Sequence, residues 1–181
     1  MNIIEIYHKE LLKYKNKHNG ETAYIFGSGP TLQQFKNIEK GHFIGCNHII
    51  KNEYIKKNLK YYFFGDGYIK KYSHHYNPIY GDHKKEVDNL NLNIEKFCMV
   101  SRDNNLDIHG FTKKTVEELN NINAIPCDLN LNIFFEHLEK KPFMNHSIIF
   151  PAIQFALYSG YSKIYLVGCD CTGYFLNNGF N

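Results

Sequence analysis

Arginine is almost missing from this sequence: Arg102 stands alone in a basic complement that is otherwise lysine, and no basic block stands out, since lysines adjoin only in pairs. The formal charge of +3 at pH 7 suits an anionic ligand or an anionic surface, but it is too small to mark a nucleic-acid-binding protein. The densest basic stretch, Lys51 to Lys60, interleaves its lysines with Tyr54, Ile55 and Leu59, the pattern of a solvated amphipathic helix. Long apolar runs are also lacking, and Asn2-Ile3-Ile4-Glu5 after Met1 has no basic n-region, so neither a membrane span nor a secretory signal is expected. The five cysteines, Cys46, Cys98, Cys127, Cys169 and Cys171, contain no C-x-x-C pair and leave one over in any disulfide scheme, which points to a reduced compartment. The expectation is a cytoplasmic protein, at most peripheral to the cytoplasmic membrane. Neither H-E-x-x-H nor Asp-x-Asp occurs, although there are ten histidines, so no metal site and no resident cofactor are expected.

What is present is an ordinary soluble-domain composition, 43% apolar and 22% charged, with an unusually high aromatic share of 15% in Tyr and Phe. A length of 181 residues fits one domain, 1–181, with a sizeable core. Apolar residues at Ile3, Ile6, Tyr7, Leu11 and Tyr14 follow one helical face until Asn19-Gly20 stops it. Strands are predicted at Thr22–Phe26, His42–Cys46, Tyr61–Phe64, Phe97–Val100, Ala124–Cys127 and Lys163–Gly168. Helical stretches lie between most of them: one begins at Thr31, and another runs from Ser147 to Tyr158, with Pro151 in its first turn and Gly160 at its end. Strands alternating with helices are the sign of βαβ units, so the fold class expected is α/β, a Rossmann-like open and mostly parallel sheet with helices on both faces. Residues 74–95, rich in His, Asn, Lys and Asp without a firm period, read as an irregular loop or lid.

Open parallel sheets take ligands at the carboxyl ends of their strands. The residues at those ends are small, polar or acidic: Gly27-Ser28-Gly29-Pro30-Thr31, Asn47-His48, Gly65-Asp66-Gly67, Ser101-Arg102-Asp103 and Gly168-Cys169-Asp170. Two glycines in the first turn would let the backbone approach a phosphate, and the helix after it would offer N–H groups. The turn is not a dinucleotide fingerprint, because the third glycine of G-x-G-x-x-G would fall at Leu32, and it is not a P-loop, because no Lys-Ser or Lys-Thr follows. Asn47 suits a hydrogen bond to a base, ribose or sugar, or an N-cap. Asp66 and Asp170 suit a base, a metal ligand or a turn residue.

In their order, Ile25-Phe26-Gly27-Ser28-Gly29-Pro30-Thr31-Leu32, Gly45-Cys46-Asn47, Tyr61-Tyr62-Phe63-Phe64-Gly65-Asp66 and Ala152–Tyr161 through Asp170 resemble two bacterial groups. One is the family 42 sialyltransferases of surface glycans. The other is the set of motility-accessory and 6-hydroxymethylpterin diphosphokinase-like proteins. The first resemblance implies a glycosyltransferase-like protein that uses a nucleotide-activated sugar, CMP-sialic acid in that family, without a metal, in lipopolysaccharide or capsule synthesis. It implies a nucleotide site at Gly27, Ser28, Gly29, Pro30, Asn47 and Ser147, with Ser28 and Asp66 where that family carries asparagines, and with Asn145-His146-Ser147 in place of its Thr-Ser-Gly. The family's catalytic histidine lies beyond the strand ending at Asp170, so Asp66 and Asp170, with the His74-His75 pair behind them, are the remaining candidates for the catalytic base. A chain truncated at the carboxyl end would also account for this. The partners implied are the nucleotide sugar and a glycan acceptor, with no nucleic acid, and a homo-oligomer is compatible with this. The second resemblance implies instead a diphosphotransferase in which Asp66 and Asp170 hold Mg²⁺. A non-catalytic, truncated nucleotide-binding domain is the third alternative.

Overall fold

The computed structural model describes residues 11–35, 40–65, 84–102, 122–128 and 147–170. Six strands carry it: β1 (Thr22–Phe26), β2 (His42–Cys46), β3 (Leu59–Gly65), β4 (Glu95–Arg102), β5 (Ile122–Asp128) and β6 (Lys163–Val167). Three α-helices are described, α1 (Glu53–Asn58), α2 (Lys84–Asp88) and α3 (Ile149–Tyr158), with 3₁₀ turns at Pro30–Gln34 and Asn47–Lys51. The strands form one sheet in the order β5-β4-β3-β2-β1-β6, and every pairing in it is parallel. The chain therefore steps outward from β1 to β5 and then crosses back to lay β6 on the other side of β1.

Period-two alternation divides the aromatic wealth of the strands between two cores. Tyr61 and Phe63 of β3 join Ile25, Ile44, Phe97 and Met99 on one face, under Ala152, Phe155 and Ala156 of α3 and under Leu11 and Tyr14 of the leading segment. Tyr62 and Phe64 join Phe26, Phe43 and Cys98 on the other, under Leu32, Ile49 and Ile50 of the 3₁₀ turns, Ile55 of α1 and Val87 of α2. Helices thus cover both faces of an open parallel sheet, which is the Rossmann-like α/β architecture. Phe155 is the hub of the first core: fully buried, its ring lies 4.7–5.3 Å from those of Tyr61, Phe97, Tyr14 and Phe63.

Helix α3 ends as its glycine predicts. Gly160 takes φ +82°, its N–H bonds the Leu157 carbonyl, and the Tyr161 N–H bonds that of Ala156, a Schellman closure. The remaining carbonyls of its last turn are taken by the leading segment, from Asn16 N–H to Tyr158 and from His18 N–H to Ser159. Helix α1 starts where the Asn52 side chain accepts from the Ile55 N–H.

Three expectations change. The segment after the first turn is a 3₁₀ turn, closed by Phe35 N–H on the Leu32 carbonyl, and not the start of an α-helix within the described residues. The basic stretch 51–60 is helical only over Glu53–Asn58, because Leu59 and Lys60 already pair into β3. The irregular stretch 74–95 contains α2, which a single buried residue, Val87, anchors to the core, and ends in the first residue of β4. Residues 74–83 of that stretch lie outside the described residues, as do Asp66, His74, His75, Asp103, Asn145 and His146.

Truncating the hub should leave a cavity that four rigid rings cannot fill. Phe155→Ala is expected to cost about 3–5 kcal/mol, read as a lower urea midpoint with an unchanged slope.

Candidate functional site

The order reversal at β1 and β6 makes a switch point, and in open parallel sheets such a point is where ligands bind at the carboxyl edge. The first turn sits there and is held tightly to β6. Gly27 N–H donates to the Val167 carbonyl at 2.9 Å and Gly29 N–H to that of Gly168 at 2.7 Å. The glycines are needed for this approach: a Cβ on Gly27 would lie 2.5 Å from Gly168 O, and one on Gly29 2.5 Å from Asp170 Oδ2 and 2.7 Å from Gly168 O. Gly168 itself takes φ +66° against Gly27.

Asp170 completes the turn. One carboxylate oxygen accepts from the Thr31 N–H at 2.8 Å and the other from the Thr31 hydroxyl. The N–H groups of Gly27, Gly29 and Thr31 are therefore engaged with β6 and its end, and Pro30 has none. Ser28, partly exposed, contributes the turn's remaining N–H and a hydroxyl. A carboxylate thus stands where the sequence reading places an anionic ligand, with each of its oxygens already accepting one hydrogen bond from Thr31.

One strand further along, Asn47 follows β2 with φ +49°, a left-handed conformation that asparagine tolerates better than most residues. Its backbone carbonyl accepts from Tyr62 Oη at 2.7 Å, and its side-chain Oδ1 accepts from the Gly65 N–H at 3.3 Å, which ties the ends of β2 and β3 together. The N-cap role, one of the two readings open for Asn47, is filled by Asn52 at the helix that follows. Among the described residues Asn47 Nδ2 has no bond partner, so it is a donor available at the carboxyl edge. Ser147 lies ahead of α3, where its carbonyl accepts from Phe150 N–H at 3.3 Å. Gly27 to Pro30 and Asn47 thus share one edge of the sheet.

A second polar cluster, which sequence reasoning missed, occupies the opposite, amino edge. His18 and Glu21 precede β1, His42 opens β2, Lys60 and Tyr61 lie at the start of β3, and Tyr161 precedes β6. His18 Nδ1 is 2.6 Å from Glu21 Oε2 and its Nε2 2.6 Å from Tyr61 Oη. His42 Nδ1 lies 2.8 Å from Tyr161 Oη and 3.2 Å from Glu21 Oε2, and its Nε2 3.0 Å from Lys60 Nζ. No local motif joins these residues; the one available signal is polar side chains at strand starts, where apolar alternation is expected. Beside them Tyr14 Oη donates to Glu95, which also pairs with Lys17.

No family model, curated protein or solved structure matches the chain. No helix among the described residues is long and apolar enough to cross a membrane.

Removing the Asp170 carboxylate unties Thr31. Asp170→Ala should cost about 1 kcal/mol in urea unfolding, the usual loss for a capping side chain, and Gly29→Ala should cost more because its Cβ meets backbone. The amino edge carries a pH dependence. Burial first, with Lys60 alongside, holds both histidines below their ordinary pKa, with Glu21 pulling the other way. Such imidazoles take up protons more readily when unfolded, so stability present above about pH 6.5 is lost as pH falls through that value. At Glu21 desolvation acts upward but is outweighed by the His18 hydrogen bond and by His42 and Lys60, so its pKa is lowered and it adds a further loss at more acid pH. In metal-free buffer the Tm should fall between about pH 7.5 and about pH 5.5, with a shallower slope in His42→Gln.

Proposed function

We propose that this chain is a glycosyltransferase-like domain that binds a nucleotide-activated sugar at the carboxyl edge of its sheet and acts in bacterial surface-glycan synthesis. The observation that carries the proposal is the pairing of a glycine-lined turn at the β1–β6 switch point with a left-handed asparagine at the end of β2. Parallel sheets of this kind take ligands at such a point. Asn47 Nδ2 and the N–H and hydroxyl of Ser28 are the groups assigned to the nucleotide, because the other N–H groups of the turn are spent on β6.

Transfer requires a base for the acceptor hydroxyl and stabilisation of the departing phosphate. The proposal gives the base to Asp66, the acidic residue that directly follows β3. Asp170 is given the positioning of the turn, since both of its oxygens are held by Thr31.

The test is a thermal-shift series with CMP, CDP, UDP, GDP and ATP, each with Mg²⁺ and with EDTA. A pyrimidine nucleotide at about 100 times its Kd should stabilise the chain by about 2.7 kcal/mol, with or without the metal. Asn47→Gly keeps the left-handed backbone and removes the amide, so it should weaken that binding at least tenfold without lowering the ligand-free Tm by more than a few degrees. A shift confined to ATP with Mg²⁺ would replace this reading by diphosphate transfer, and no shift with any nucleotide would sink both enzymatic readings.

A further inference from the structure

We propose that His18, Glu21 and His42 form a binding site for a divalent transition-metal ion, with Zn²⁺ the best match, at the amino edge of the sheet. The site is independent of the proposed nucleotide site, which lies at the other end of the strands. Its donor atoms, one from each residue, all fall within 4.8 Å of one another. Zinc bonds to nitrogen and oxygen are about 2.0–2.1 Å long, so a tetrahedral ion holds its donors about 3.3 Å apart. His42 Nδ1 and Glu21 Oε2 already stand at 3.2 Å. His18 Nδ1 and Glu21 Oε2, at 2.6 Å, need to part by less than 1 Å. Glu21 can supply that movement because its side chain is 48% exposed.

The chemistry of the donor set selects the ion. Two imidazole nitrogens and one carboxylate suit Zn²⁺ and its transition-metal neighbours, whereas Mg²⁺ and Ca²⁺ take all-oxygen sets. The rings are also held from behind, as ligating histidines usually are. Tyr61 Oη contacts His18 Nε2, and Tyr161 stacks on the His18 ring at 4.6 Å and 22°. With Nε2 hydrogen-bonded to the phenol, His18 presents Nδ1 to the site. Three protein ligands leave a fourth position for water on the side where Glu21 is exposed. The ion would join the segment ahead of β1 to the start of β2, linking the leading segment to the sheet.

Two neighbours oppose the ion, and the first is Tyr161 Oη, 2.8 Å from His42 Nδ1, which must give up that contact for the ion to take the nitrogen. The second is Lys60, whose Nζ sits 3.0 Å from His42 Nε2 and brings a positive charge to the site. When the ion takes Nδ1, His42 must carry its proton on Nε2, and Lys60 must withdraw. A plain hydrogen-bonded network would lose a member when Lys60 is removed; a metal site gains affinity.

The experiment is calorimetric titration of the metal-stripped chain with Zn²⁺, supported by the visible spectrum of the Co²⁺ form. One ion per chain is expected, with the absorption of four-coordinate Co²⁺ and no corresponding heat from Mg²⁺. Glu21→Gln, which keeps a hydrogen bond to His18, and His42→Gln should each weaken Zn²⁺ binding at least tenfold. Lys60→Met should tighten it severalfold. Equal Zn²⁺ affinity in Glu21→Gln and His42→Gln, or loss of binding in Cys169→Ser with those residues intact, would overturn the proposal by placing the ion on thiols or nowhere specific.

Discussion

An all-parallel sheet almost always has both faces covered, because its crossovers pass over the faces and pack there. That requirement governs most of what is seen in this protein. Tyr61 and Phe63 point one way from β3 and Tyr62 and Phe64 the other, and each pair needs a cover of its own. One cover is a ten-residue helix, α3, with the leading segment docked on its last turn. The other is assembled from short pieces, two 3₁₀ turns and the helices α1 and α2, each contributing one or two buried side chains. Large rigid aromatic side chains let such small elements suffice, since each buries a large apolar area with few torsions to fix.

The return of the chain to β1 imposes the second constraint. β6 lies beside β1 at the edge of the sheet, with Tyr165 and Leu166 about half exposed and Tyr165 stacked on Tyr24. At its carboxyl end the contact is much closer. Gly27, Gly29 and Gly168 bring two backbones within hydrogen-bonding distance where a single Cβ would clash. Gly27 and Gly29, which in sequence read as a turn that lets the backbone approach a phosphate, are thus used to join two strand ends, and Asp170 supplies the negative charge at the start of the following turn. A ligand entering at this edge would meet a preassembled turn, with Ser28 and Asn47 among the described residues as polar groups still on offer.

The amino edge solves a different problem. There the core ends in polar side chains, and each has a partner: imidazole with carboxylate, phenol with imidazole, ammonium with imidazole. Burial keeps the phenols of Tyr61 and Tyr161 protonated, their pKa values driven far above the ordinary tyrosine range. Desolvation likewise favours the neutral imidazoles. Neutral, oriented and adjacent donors are what a soft-to-borderline cation requires.

Much of the fold was legible in the residues themselves. Short apolar runs closed by glycine or polar residues marked all six strands, and the alternation with helical stretches implied parallel pairing, because those signals are local and strong. Pro151 and Gly160 likewise bounded α3 correctly to within two residues. The extents of β3 and β4 and the helix at Lys84–Asp88 were less legible, since Lys60, Glu95 and Val87 owe their places to neighbours far along the chain. The glycine turn and Asn47 could be picked out as unusual, but their bonds to β6 and β3 could not, because those partners lie 15 residues or more away. The amino-edge cluster was invisible for the same reason. By itself the sequence determined which segments are strands, which residues face inward and where the backbone can turn, through periodicity and the sterics of glycine and proline. Only the tertiary structure decided the strand order, and with it which polar groups meet at each edge of the sheet, because those meetings depend on distances between residues that no local spacing encodes.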